Sequence, residues 1–127
     1  MSRRNISSGS PFEPTVGFSR AVRVGDRVLV AGTAPIWPTD FVDPDPGAQT
    51  RRCLEIMLEA LAQAGGAPEH VVRTRMFITD AGHAGAIGAA HGEVFSEIRP
   101  AATMVVVADL LDPRWVVEME LEAIVTD

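Results

Sequence analysis

The chain ends in a regular alternation of apolar and charged residues. Residues 98–107 and 116–124 each read as a strand, and in the second Val117, Met119, Leu121 and Ala123 point one way. Glu118, Glu120 and Glu122 point the other way, which sets three carboxylates in a row on one face. Residues 71–79 also alternate and are rich in β-branched side chains, so they predict a strand. There Val72, Thr74, Met76 and Ile78 share one face and Arg73, Arg75 and Phe77 the other. Residues 4–7, 19–24 and 27–33 are further strand candidates, the last two joined by a Gly25-Asp26 hairpin turn.

Elsewhere the apolar spacing changes to that of a helix. Residues 35–47 are proline-rich and predict a loop, at whose end Asp45-Pro46 offers an N-cap with proline in the first turn. From 48 to 64, Leu54, Met57, Leu58 and Leu61 recur on one stripe, with Arg51, Arg52, Glu55, Glu59 and Gln63 on the wet side. Gly65-Gly66 stops this helix. Asp80 caps a second helix over residues 81–97, with Ala84, Ile87, His91, Val94, Phe95 and Ile98 on one stripe. Its Gly82, Gly85, Gly88 and Gly92 each cost about 1 kcal/mol against alanine, so close packing on a neighbour is expected to hold it. The order is β-β-β-α-β-α-β-β in a single domain over residues 1–127. The predicted class is α+β, one mixed sheet with both helices on one face.

Composition narrows the function. The chain has 127 residues, 46% of them apolar and 22% charged, as in a folded soluble domain. Its 11 basic and 17 acidic groups give a net charge of −6, which disfavours nucleic acid as a partner. The N-terminus has no apolar core of a signal peptide, and no apolar run is long enough for a membrane span, so a cytoplasmic location is expected. The one cysteine, Cys53, excludes an intrachain disulfide and falls beside the apolar stripe of the first helix, which favours a buried, inert thiol. His83 and His91 lie too far apart along a helix to share a metal, and His70 stands alone, so no metal site or cofactor is expected.

The glutamate row and the arginines of residues 71–79 put opposite charges on the face away from the helices. Two readings remain open for that face. It is a solvated surface of cross-strand ion pairs, each worth at most about 1 kcal/mol. Alternatively it packs on other subunits and leaves a charged cleft.

The order of these elements and several strings resemble the Rid/YjgF superfamily, also called the L-PSP endoribonuclease family. The strings are Val28-Leu29-Val30-Ala31-Gly32-Thr33, the helix over residues 49–61 and the strand over residues 71–80. Arg99-Pro100-Ala101-Ala102-Thr103-Met104 and residues 118–124 complete the pattern. The resemblance implies a chorismate-mutase-like fold and a homotrimer whose sheets form a central barrel, with ligand clefts between subunits. The best-studied members hydrolyse reactive enamines and imines to 2-oxo acids and ammonia. Their carboxylate-binding arginine falls at Ala102, their tyrosine near the first hairpin at Phe18, and the asparagine often found in the second helix at Gly88. Their acid near the chain end falls on Glu120, which in such a site positions a water or moves a proton.

On this resemblance the cleft binds a small carboxylate-bearing metabolite, and Glu120 is its catalytic candidate. Arg75 and Arg99 are candidates to replace the missing cation, Arg75 being preferred to Arg99, while a salt bridge to Glu120 or Glu122 is the favoured alternative for Arg75. Phe18, Gly32, Thr33, Ala102 and Met104 are the remaining ligand-binding candidates, with plain packing the alternative for Thr33; Trp37 is either a lid over the cleft or an ordinary packing or interface aromatic. A non-enzymatic metabolite sensor or chaperone-like protein using the same clefts is the alternative.

Overall fold

A computed structural model describes residues 2–126. The N-terminal strands are β1 (Arg3–Ile6), β2 (Ala21–Val24) and β3 (Arg27–Thr33), followed by the long helix α1 (Pro46–Gln63). Strand β4 (Val71–Ile78), helix α2 (Ala84–Phe95), β5 (Ala101–Val106) and β6 (Val117–Ile124) complete the chain. The strands form one open sheet in the order β1-β2-β3-β6-β4-β5, antiparallel except for the parallel pair β4 and β5. The expected α+β class, with one mixed sheet and two main helices, is the one observed.

Local chemistry fixes the ends of α1. Asp45 accepts a hydrogen bond from the Ala48 N–H, and Pro46 occupies the first turn, where no intrahelical donor is needed. At the other end Gly65 takes φ +89°, and its N–H and that of Gly66 donate to the carbonyls of Ala62 and Leu61. That is a Schellman closure, which only glycine adopts without strain. Between these caps Cys53, Leu54, Met57 and Leu61 are buried against the sheet, where they meet Val117, Met119, Leu121 and Ala123 of β6.

Four expectations need correction. Val72 is exposed and Val71 is buried, because a bulge between Val71 and Arg73 shifts the phase of β4 before Thr74, Met76 and Ile78 resume the core face. The second helix is shorter than residues 81–97: Asp80 caps a tight turn over Ala81–His83 through the Gly82 N–H, and regular helix starts at Ala84. Its glycines are not explained by close packing within the described residues, since a Cβ at Gly85, Gly88 or Gly92 would meet none of their atoms within 4 Å. Finally, β5 begins at Ala101, because Arg99 takes φ 55° and closes α2 ahead of Pro100.

Candidate functional site

The β4–β6 register decides what the open face carries. It sets Arg75 opposite Glu120, Arg73 opposite Glu122 and Phe77 opposite Glu118. Arg75 Nη1 donates to Glu120 Oε1 at 3.0 Å, and its Nη2 lies 3.8 Å from Glu122 Oε2. Arg73 and Arg27 also reach Glu122, at 3.7 and 3.5 Å. All these side chains keep contact with solvent, so each pair contributes at most about 1 kcal/mol to stability. Their effect is positional: the ladder holds Arg75 and Glu120 side by side with fixed orientation.

A cavity of about 580 Å³ opens over this ladder. Phe18, Leu29, Arg75, Glu120 and Glu122 line it, together with Glu13 from the wide turn Glu13–Gly17. Three of the predicted site residues, Phe18, Arg75 and Glu120, therefore meet in one place.

Gly32 lies beside this site but faces a different charge. The register shifts between Val30 and Thr33, where β3 carries an extra residue before Thr33 pairs with Met119 of β6. There Glu118 Oε2 comes within 2.7 Å of where a Cβ on Gly32 would stand, so a side chain at this position would push the Glu118 carboxylate aside. Burial pushes the half-buried Glu118 carboxyl above its ordinary value, with repulsion from Glu120 adding to the shift and Arg20 opposing it. Thr33 is buried and donates to the Ala31 carbonyl at 2.7 Å.

The remaining predicted residues lie elsewhere in the single chain. Ala102 is in register with Thr74 and Met104 with Met76, so both belong to the helix side of the sheet rather than the Glu120 side. Met104 packs on the core and Ala102 is exposed at the edge strand. Arg99 donates from Nε to the Ser96 carbonyl at 3.0 Å, which ties it to the end of α2. Trp37 packs edge-on against Phe41, with ring centroids 5.4 Å apart, and lines a second cavity with Thr33.

Cys53 is buried, and desolvation drives its thiol far above the ordinary value, so it is inert. Among the described residues no three His, Cys, Asp or Glu side chains are grouped to hold a metal, and no helix is long and apolar enough to cross a membrane. Sequence reasoning missed Arg20. It stands just before β2, and its Nη2 donates to the Gly32 carbonyl at 2.6 Å. Only the folding of β3 back onto β2 brings the two together.

The open sheet, its helices on one face and the ladder on the other define a single-layer α+β protein of the YjgF type. Residues 9–125 match the Endoribonuclease L-PSP family. An uncharacterized protein of Streptomyces coelicolor is 41% identical over 122 residues, spanning 94% of this chain and 90% of that one. A RutC family protein of Pyrococcus abyssi is 31% identical over 98% of this chain and 97% of its own. The crystal structure of a YjgF/YER057c/UK114 family member from Mycobacterium tuberculosis superimposes with a TM-score of 0.90 at 44% identity. That match covers 98% of this chain and all of the other. This chain belongs to the Rid/YjgF, or Endoribonuclease L-PSP, family.

Proposed function

We propose that this protein is a homotrimer whose inter-subunit clefts, built on the open sheet face, bind a small carboxylate-bearing metabolite and hydrolyse an enamine or imine to a 2-oxo acid. The observation that carries this reading is the Arg75–Glu120 pair at the wall of a cavity shared with Phe18. Family membership supports the assembly, as does the uncovered face itself, where Leu29 and Val105 are 45% and 43% exposed.

The chemistry asks little of the protein. The guanidinium of Arg75 spends one donor on Glu120 and keeps others for a substrate carboxylate. Glu120 uses one oxygen for Arg75 and has the second for a water. An enamine first tautomerises to the imine; water adds to the imine carbon while Glu120 takes a proton from the water and delivers it to nitrogen, and the resulting carbinolamine expels ammonia as its hydroxyl proton passes to nitrogen. One water is consumed, the C–N bond breaks, and a 2-oxo acid leaves. The test is release of 2-oxo acid from 2-aminoacrylate generated in situ. Wild type is expected to accelerate release, and Glu120→Gln to lose roughly 10²–10⁴-fold of that acceleration. No acceleration by wild type removes the hydrolase reading.

One observation favours a second reading, binding without turnover. Ala102 brings no charge, and its register puts it on the face opposite Glu120. On this reading pyruvate raises the melting temperature of the wild-type protein while 2-aminoacrylate is not hydrolysed.

A further inference from the structure

A second cavity, of about 480 Å³, lies by α1, the segment before β2 and the loop after β3. It shares no lining residue with the open-face cavity. Phe12, Ile36 and Trp37 give it apolar walls, and Arg20 and Arg52 are its charged groups. Among the described residues no carboxylate lines it, whereas Glu13, Glu120 and Glu122 line the open-face cavity against Arg3 and Arg75. Phe12 and Ile36 are 65% and 53% exposed, which leaves their hydrocarbon surface available.

Arg20 is poorly satisfied where it stands. Its Nη2 is held by the Gly32 carbonyl, but its Nε is enclosed with no acceptor, and Nη1 has none among the described residues. The Phe18 ring lies 5.6 Å from the guanidinium, within cation–π range, and takes no hydrogen bond from it. Burial pulls the guanidinium below the usual arginine value, while Glu13 and Glu118 act on it in the opposite direction from a distance. Neither carboxylate neutralises it by direct contact. Glu13 Oε2 is engaged by the Ser8 N–H and hydroxyl and the Ser10 N–H, and Glu118 is turned to Gly32. Arg52 is positioned by the Ile36 carbonyl, 2.6 Å from its Nε, and its Nη1 is only loosely paired with Glu55 at 3.7 Å.

We infer that this cavity is a binding site for a small apolar monocarboxylate, an aryl- or alkyl-substituted acid held by Arg20 and Arg52 with its hydrocarbon against Phe12, Ile36 and Trp37. A carboxylate supplies the acceptor that Arg20 Nη1 lacks and a second partner for Arg52, while the enclosed Nε stays out of its reach. The apolar walls select against acetate-sized anions, because only a larger group covers them. All of these residues belong to one chain, and the site requires no chemistry at Glu120.

The test is calorimetric titration of the full chain with 3-phenylpropanoate and with its neutral amide, 3-phenylpropanamide. The acid is expected to bind saturably and the amide at least about tenfold more weakly, with Arg20→Gln and Arg52→Gln each weakening the acid by about tenfold. Equal affinity for acid and amide overturns the inference, as does failure of the acid to saturate, or undiminished binding by folded Arg20→Gln. The acid–amide comparison uses wild type alone, so a variant that fails to fold leaves it decisive. Because the probe is unreactive, its binding stands or falls apart from turnover of 2-aminoacrylate.

Discussion

His91 shows how one side chain couples the sheet to a helix. Its Nε2 lies 2.8 Å from the hydroxyl of the fully buried Thr74, and its ring leans on Phe95 with centroids 4.7 Å apart. Burial lowers its proton affinity, so the folded state binds fewer protons here than the unfolded chain. Its contribution to stability is therefore present above the unfolded value near 6.5 and is lost as pH falls through the lowered folded value. Melting temperature should drop between about pH 7 and about pH 5, and His91→Gln should flatten that part of the profile. An unchanged profile in the variant would remove His91 as the cause. Cys53 makes a companion case, since its burial forbids thiolate: native protein should resist thiol reagents that label it on unfolding. That inertness was legible in the sequence from the stripe that Cys53 adjoins. The orphaned Nε of Arg20 was not, because it depends on where the backbones of β3 and β2 meet.

At the scale of elements, two features decide how the loops above the sheet are held. Gln49 is fully buried in the first turns of α1, and it bonds three backbone groups at once. Its amide donates to the carbonyls of Asp43 and Arg114, and its oxygen accepts from the Val116 N–H. Replacing it with leucine strands these buried groups and is expected to cost about 2–3 kcal/mol in urea unfolding. The second feature is α2, where Gly88 faces open space in the single chain. Gly88→Ala should therefore stabilise by about 0.5–1 kcal/mol, by restricting the unfolded chain without a clash. A destabilised variant would mean that α2 is packed against another molecule there. The two-residue period placed the β6 carboxylates correctly because no irregularity interrupts that strand. It failed at Val72 because one inserted residue reverses the face, and nothing in the local composition marks the bulge.

For the whole molecule, the central matter is what the uncovered sheet face is for. Element order and spacing were enough to indicate the fold and the family, since capping residues, glycine stops and alternating strands are local signals. The site was only partly legible. Phe18, Arg75 and Glu120 converge on one cavity, while Ala102, Met104 and Arg99 stand apart from it in the single chain. Residues from a neighbouring subunit would complete such a cleft, and one chain's sequence does not encode which surfaces meet. The ladder of Arg27, Arg73 and Arg75 against Glu120 and Glu122 leaves the face charged but locally balanced, which suits a polar interface better than a dry one. The claim that this face lies between subunits is tested most directly by the mass of the full chain in solution, by light scattering with size separation. The account predicts three times the 13.6 kDa of one chain; a monomeric mass at working concentration would contradict it and remove every cleft assigned to the open face.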